Sequence, residues 1–171
     1  MHTIEAIKTR RSIRAYTSQE IKKADLQEIV EAGMYAPSAY NQQPWEFLIL
    51  QDKESLLRLS KHLTYGKMLA QANAAIVSCF TPARLKVSHL VPQDMGACVE
   101  NMLLAAHEKG IGTVWIGIYP EANTDYAINE YLQIPKDIEV FNVISLGYPD
   151  ERTPLRDKKC LLPEKIHRGK R

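Results

Sequence analysis

Three arginines and one serine lie within five residues near the N-terminus, in the pentad Arg10-Arg11-Ser12-Ile13-Arg14. Guanidinium groups donate forked, charge-assisted hydrogen bonds that match a phosphate dianion, and a serine hydroxyl can add another. The same composition is also typical of a solvated basic surface, which is the more common explanation for an arginine-rich pentad. The pentad alone therefore does not decide between a phosphate site and a basic surface.

A second polar segment lies at residues 36–50, with the sequence APSAYNQQPWEFLIL. Its loop part holds more polar side chains than a turn requires before it runs into an apolar strand. One interpretation is that Ser38, Asn41 and Gln43 meet a hydrogen-bonding partner outside the loop. The other is that this is an ordinary proline-containing loop in which Trp45 anchors the strand to the core. The segment alone leaves both open.

Several other chemical motifs are absent from the sequence. Gly110-Ile111-Gly112 follows a predicted helix and enters a predicted strand, the reverse of the turn that binds a dinucleotide. No G-x-x-x-x-G-K-[ST] motif occurs. The five histidines and three cysteines lack metal-ligand spacing and C-x-x-C pairs. We therefore expect no metal site and inert cysteines.

Length and composition indicate one folded domain over residues 1–171. Hydrophobic residues make up 45% and charged residues 25%, the balance of an ordinary globular protein. The formal charge of +2 is too small to argue for nucleic-acid binding. No apolar stretch approaches the roughly 18 residues of a membrane helix, and the charged N-terminus lacks a secretory signal. We expect a cytoplasmic protein with a basic C-terminal extension at residues 150–171.

The apolar spacing predicts alternating helices and strands. Helices are predicted at 3–8, 26–34, 52–63 and 93–109 and from Asn123 or Thr124 to Leu132, with helical turns at 66–73. Strands are predicted at 46–50, 74–80, 113–118 and 140–146. Strand 74–80 is apolar throughout, which indicates helices on both faces of a mixed sheet. A stripe of small residues along helix 93–109 predicts close packing against a neighbouring helix.

Particular residues are predicted to begin and end these helices. Thr3 is predicted to cap the first helix, and Thr17-x-x-Glu20 has the spacing of a capping box. Asp52 is predicted to begin the helix after the first strand. Gly110 is predicted to end helix 93–109 in a left-handed conformation.

The order of four motifs then resembles the nitroreductase family of FMN-dependent oxidoreductases. These are the basic pentad, A-P-S-x-x-N-x-Q-P-W-x-F, the run Lys67-Met68-Leu69, and G-I-G-T-x-W-I-G. The resemblance extends from Arg10 to about His167. It implies an α+β sandwich with a central mixed, mainly antiparallel sheet flanked by helices. It also implies an intertwined homodimer with FMN at the subunit interface, and an extension at 150–171 that embraces the partner.

The resemblance assigns cofactor-binding roles to the cations at both ends of the chain. The pentad matches the family's phosphate- and ribityl-binding turn, with Arg10, Arg11, Ser12 and Arg14 as contacts. Arg156, after Gly147-Tyr148-Pro149, matches a basic residue that closes on the phosphate, and Lys158 is a weaker candidate. Lys67 matches a lysine near the pyrimidine edge of the flavin, where a cation stabilises the negative charge of the reduced ring.

The resemblance also assigns roles to a loop and a strand. The loop reaches the flavin of the other subunit through Pro37, Ser38, Ala39 and Asn41, while Gln43 and Trp45 support it. The strand carries Trp115, Ile116 and Gly117 along the isoalloxazine, with a backbone N–H at the hydride-accepting nitrogen. Many relatives have P-x-E-G at this strand and asparagine where this chain has Thr64, so the match does not extend to every contact.

The activity that the resemblance implies is ping-pong hydride transfer from NAD(P)H, through the flavin, to a small oxidised acceptor such as a nitroaromatic or quinone. Both substrates would use one cleft, where Tyr35, Tyr40, Tyr65 and Tyr119 are possible lining residues. No catalytic acid or base is expected, because the flavin supplies the chemistry. The alternatives are reductive dehalogenation, enone reduction or flavin destruction on the same fold, a non-catalytic FMN-binding protein, and a nucleic-acid-binding surface.

Overall fold

The computed structural model describes residues 2–120, 128–150 and 162–169. Its principal helices are α1 (Thr3–Thr9), α2 (Lys23–Met34), α3 (Lys53–His62) and α4 (Val91–Glu108), and residues 128–132 are also helical. Its strands are β1 (Trp45–Leu50), β2 (Ala74–Phe80), β3 (Gly112–Gly117) and β4 (Glu139–Gly147). Short 3-10 turns lie at Ala39–Asn41, Lys67–Gln71, Pro82–Arg84, Ser88–Leu90 and Pro163–Lys165. The predicted alternation of helices and strands is confirmed.

The four strands form one sheet in the order β1-β2-β4-β3, and all three strand pairs are antiparallel. A parallel bridge joins Ser12 to Thr113 at the outer edge of β3. The sheet is therefore mixed but mainly antiparallel, as predicted. β2 and β4 occupy the centre, which explains why their sequences are almost unbroken apolar runs.

Both faces of the sheet are covered by helices. Alternation along β2 sends Ile76 into a core shared with α2 and α4, and sends Val77 into a second core shared with α3 and Ile128. A register shift between Ser78 and Cys79 interrupts the pairing of β2 with β4 without exposing either strand. The predicted layered sandwich is confirmed.

α2 and α4 approach closely at a glycine. A Cβ added to Gly33 would lie 2.7 Å from Met102 Cγ and 3.0 Å from Cys98 Sγ. Asn101 Nδ2 donates to the Ala32 carbonyl over 3.2 Å, which fixes the register of the two helices. The small-residue stripe thus has the predicted role. Burial raises the pKa of the Cys98 thiol to about 12, so this cysteine stays protonated and unreactive at neutral pH.

Two of the predicted helix ends are confirmed. Asp52 Oδ1 accepts from the Ser55 N–H at 2.8 Å, so Asp52 caps α3. Gly110 has φ 72°, and the Ile111 N–H donates to the Ala106 carbonyl at 2.9 Å, which ends α4 in the predicted left-handed turn.

One predicted cap, Thr3, is wrong. His2 rather than Thr3 precedes α1, and its side chain makes no capping hydrogen bond. α2 begins at Lys23, beyond the Thr17-x-x-Glu20 motif. The Thr17-x-x-Glu20 spacing begins no helix here; the Thr17 N–H donates to the Tyr148 carbonyl at 2.9 Å, which ties this segment to the one after β4. The predicted caps Asn123 and Thr124 lie outside the described residues.

No helix within the described ranges has both the length and the apolar character needed to cross a membrane.

Candidate functional site

A cleft of about 660 Å³ opens beside β3, the edge strand. Five of the predicted cofactor-binding residues line it: Arg14, Lys67, Trp115, Ile116 and Gly117. The remaining lining residues are Thr64, Tyr65, Met68 and Val114. Three motifs that are separated by about 50 residues in the sequence therefore meet at one place. The structure brings together Arg14 of the pentad, the lysine turn and the tryptophan strand.

The backbone of the pentad is attached to β3. The Ile13 N–H donates to the Thr113 carbonyl at 2.9 Å, and the Tyr16 hydroxyl donates to the Ile13 carbonyl at 2.8 Å. Gly112 is needed for this approach, since an added Cβ would lie 2.7 Å from Ile13 Cβ. Burial raises the pKa of Tyr16 far above its ordinary value, so its hydroxyl remains a neutral donor. These contacts place Arg14 at the mouth of the cleft.

The outer edge of β3 also offers backbone groups to the cleft. The Thr113 carbonyl accepts a hydrogen bond from the pentad, on the side of β3 that faces away from β4. Backbone polar groups alternate in direction along a strand, so those of Trp115 and Gly117 point to the same outer side. The apolar residues Val114 and Ile116 also line the cleft, and each is only 3% exposed. Trp115 is 36% exposed and packs its edge against Phe141.

Two cations also line the cleft. Arg14 and Lys67 are both exposed, and neither forms a salt bridge within the described part of the chain. Two cations in a cleft that is partly lined by apolar residues suit a ligand that has an apolar part and an anionic part. In the described ranges no cluster of three histidine, cysteine, aspartate or glutamate residues could hold a metal ion.

The rest of the pentad does not line the cleft. Arg10 Nε lies 3.4 Å from Glu100 Oε1 on α4, and Arg11 Nη1 donates to the Lys8 and Arg10 carbonyls. Ser12 is exposed and takes part in the bridge to Thr113. Nearby, burial and then the charges of Arg10 and Arg11 lower the pKa of His107. Arg10 and Arg11 are thus engaged within their own chain in this structure.

The predicted flavin loop, residues 37–43, has a strained backbone. Tyr40, Asn41 and Gln43 all have left-handed φ values, of 53°, 50° and 45°. Each such non-glycine residue costs about 1–3 kcal/mol and persists only where surrounding contacts enforce it. Ser38 Oγ closes the loop by accepting from the Gln43 N–H at 3.0 Å. Pro37 and Asn41 are exposed, and no residue of this loop lines the cleft of the same chain.

Sequence reasoning missed the two residues that hold this loop. Asp94, in the first turn of α4, is 5% exposed and accepts from the Ala39 N–H at 2.9 Å and from Gln42 Nε2 at 2.6 Å. Gln42 also binds the segment at 86–87 through both ends of its amide. An acidic residue is common in the first turn of any helix, so the sequence carried no specific signal for this role. Gln43 closes the loop through its backbone N–H, and Trp45 is buried in the core.

The four candidate tyrosines separate by burial. Tyr65 lines the cleft and is 79% exposed. Tyr35 and Tyr40 are exposed but lie away from the cleft of their own chain. Tyr119 packs edge-on against Phe80 in the core. Arg156 and Lys158 lie outside the described residues.

The model of the Nitroreductase family matches residues 7–78 and 61–148. The chain belongs to the nitroreductase family. One relative of this family member, from Archaeoglobus fulgidus, is 45% identical over 169 residues, which cover 98% of this chain and 97% of the relative. The name of that relative assigns it provisionally as an NADH dehydrogenase/NAD(P)H nitroreductase.

Solved nitroreductase structures share the fold. The FMN-dependent nitroreductase from Clostridium difficile R20291 matches with a TM-score of 0.87 and 33% identity, covering 98% of this chain and 99% of that chain. The NADPH:FMN oxidoreductase from Vibrio harveyi, solved in complex with NAD+, matches with a TM-score of 0.84 and 26% identity, covering 99% of this chain and 77% of that chain. The predicted α+β nitroreductase fold is confirmed.

Proposed function

We propose that this protein is an FMN-dependent oxidoreductase that uses NAD(P)H to reduce small acceptors such as nitroaromatics or quinones by a ping-pong mechanism. The observation that carries the proposal is the cleft at β3, which Arg14 and Lys67 line together with the buried apolar residues Val114 and Ile116. The relatives named as an FMN-dependent nitroreductase and an NADPH:FMN oxidoreductase support the same cofactor and reductant.

The residues present fit FMN, which combines a planar ring with a phosphate tail. Arg14 would bind the anionic and ribityl part, and Lys67 would lie at the pyrimidine edge of the ring. The outward backbone groups of Trp115 and Gly117 would orient the ring, while Ile116 would contribute apolar contact. When bound, FMN would supply the chemistry by accepting hydride from NAD(P)H and passing it on. The chain's part is to bind and orient FMN and to stabilise its negative charge, so we assign no catalytic acid or base.

The complete site would require two subunits. The loop at 37–43 is exposed and strained, yet it lies away from the cleft of its own chain. We therefore place Pro37, Ser38, Ala39 and Asn41 against the FMN of a partner subunit in a homodimer. Ile4 and Ile7 are 61% and 52% exposed on α1, and apolar exposure of this kind suits a protein interface.

The remaining predicted phosphate contacts belong to the same proposal. Arg10, Arg11 and Ser12 are close in sequence to the cleft residue Arg14, and Arg156 would join them from the C-terminal extension. In the proposed single domain of residues 1–171, the extension at 150–171 would embrace the partner. To bind the phosphate, Arg10 would release Glu100 and form charge-assisted hydrogen bonds to the phosphate instead.

The proposal is tested by purifying the full chain, supplying FMN and recording the visible spectrum. We expect a yellow protein whose absorbance bleaches within seconds of adding NADH or NADPH without air, and returns on adding a nitroaromatic or quinone. A protein that takes up no supplied FMN would overturn the cofactor assignment. Bound FMN that NAD(P)H bleaches slowly or not at all would instead indicate a non-catalytic FMN-binding protein.

A further inference from the structure

A cluster of hydrogen bonds around Gln42 and Asp94 holds the loop at 37–43, and we call this cluster the Gln42–Asp94 tie. Asp94 Oδ1 accepts from the Ala39 N–H at 2.9 Å, and Asp94 Oδ2 accepts from Gln42 Nε2 at 2.6 Å. Gln42 Nε2 also donates to the Val87 carbonyl at 3.2 Å. Gln42 Oε1 accepts from the N–H groups of Lys86 and Val87, both at 3.1 Å. The tie therefore joins the loop to the beginning of α4 and to the chain that precedes it.

The amide of Gln42 makes all the hydrogen bonds that it can, and both oxygens of Asp94 are bonded. A glutamine amide has two N–H donors and two acceptor lone pairs, and Gln42 uses all four. Each oxygen of the Asp94 side chain accepts from one donor. Asp94 is 5% exposed, so a donor lost here leaves a buried acceptor unsatisfied. The neighbouring groups therefore determine which atom donates and which accepts in each contact.

The tie contacts the loop next to its left-handed residues. Gln42 lies between the left-handed residues Asn41 and Gln43, and Ala39 precedes the left-handed Tyr40. A free loop of this composition would leave the left-handed region, because non-glycine side chains are disfavoured there. The three strained residues are therefore bracketed by backbone and side-chain contacts to the tie and to Ser38.

We propose that Gln42 and Asp94 are positioning residues that hold the loop in the conformation that contacts FMN. This inference rests on the proposed function, in which the loop meets the cofactor of the partner subunit. Neither residue needs to touch FMN. They keep the loop ordered before FMN binds, so that FMN binding does not have to order it.

The test uses variants that reverse the polarity of the Gln42–Asp94 contact. Gln42→Glu places a second carboxylate against Asp94, and Asp94→Asn places a second amide against Gln42. Each single variant should weaken FMN binding to the apo protein about tenfold to a hundredfold. In the double variant the introduced carboxylate can accept from the introduced amide and from the N–H groups of Lys86 and Val87. FMN affinity should then recover above that of either single variant but stay below wild type, because the Val87 carbonyl has lost the donor that Gln42 Nε2 supplied.

Hydrogen exchange in the apo protein gives an independent readout. At one pH, the Ala39 and Gln43 amides should exchange faster in each single variant and recover in the double variant. Gln19→Glu, the same change at an exposed position before α2, is the matched control and should alter neither readout. If Gln42→Glu does not fold, Gln42→Met removes the same contacts without adding charge, and it should also weaken FMN binding and speed exchange.

Three outcomes would overturn the inference. The losses of the single variants could multiply in the double variant, which would mean that the two side chains do not act through each other. The single variants could speed amide exchange without changing FMN affinity, or could change neither. Wild-type protein that takes up no FMN would instead refute the proposed function. In that case the exchange data on the same apo samples would still decide whether the tie holds the loop.

Discussion

At the scale of single residues, the two cations in the cleft differ from the cations that form salt bridges. Arg58, Arg84 and Lys109 are paired with carboxylates on the protein surface. Arg14 and Lys67 are exposed at the cleft and carry no such pair among the described residues. A cation with no partner contributes little to stability, so its substitution should affect ligand binding selectively.

Arg14→Ala should weaken FMN binding about tenfold or more, because a charge-assisted hydrogen bond to the ligand is lost. The melting temperature of the apo protein should change by no more than about 2 °C, as is usual for an exposed residue. FMN titration and thermal denaturation of the apo form measure the two effects. Lys61→Ala removes an exposed cation from α3 and is the control. Comparable losses of affinity and stability would mean that Arg14 is structural.

At the scale of elements, the contact between α2 and α4 forms one side of the sandwich. Gly33 allows α2 to lie directly on Cys98 and Met102 of α4. α4 in turn carries Asp94, which holds the proposed flavin loop. A change in the spacing of the two helices would therefore reach both the core and the loop.

Gly33→Ala should lower the free energy of unfolding by about 1–3 kcal/mol, because its Cβ would overlap the Met102 side chain. Gly96→Ala is the matched control on α4, since a Cβ there would meet nothing within 4 Å. It should leave stability unchanged or raise it by up to about 1 kcal/mol through helix propensity. Chemical denaturation measures both. Equal destabilisation by the two variants would contradict the close packing of α2 against α4 at Gly33.

At the scale of the whole molecule, the proposed site is divided between two chains. The cations and β3 line the cleft, while the strained loop lies elsewhere on the same chain. The exposed Ile4 and Ile7 of α1 add an apolar surface that is suited to a partner. Intersubunit complementation tests this division directly.

Mixed dimers should be prepared in which one chain carries Arg14→Ala and the other Asn41→Asp. If each site combines Arg14 of one chain with Asn41 of the other, both defects fall in one site and the second site is intact. FMN titration should then find one wild-type-affinity site per mixed dimer. Homodimers of either variant should have none. Mixed dimers without an intact site would place Arg14 and Asn41 in the same subunit's site.

The elements that the sequence predicted correctly are those whose signal is local. The apolar run of β2, the Asp52 cap and the Gly110 ending of α4 each depend on residues within one or two turns. The Thr3 cap is wrong, since His2 precedes α1 without a side-chain capping bond. The capping-box spacing at Thr17 begins no helix, in a segment whose backbone is bonded to Tyr148, a residue 131 positions away in the chain. Local spacing could not reveal that long-range contact.

For the site, the sequence alone determined the residue types, their order and the resemblance to a flavoprotein family. These follow from motifs that can be read one segment at a time. Only the tertiary structure decided that Arg14, Lys67 and Trp115 meet in one cleft, while Arg10 turns to Glu100. It alone showed that Gln42 and Asp94 hold the strained loop. The physical reason is that hydrogen bonds and packing join groups by distance in space, and separation along the chain does not encode that distance.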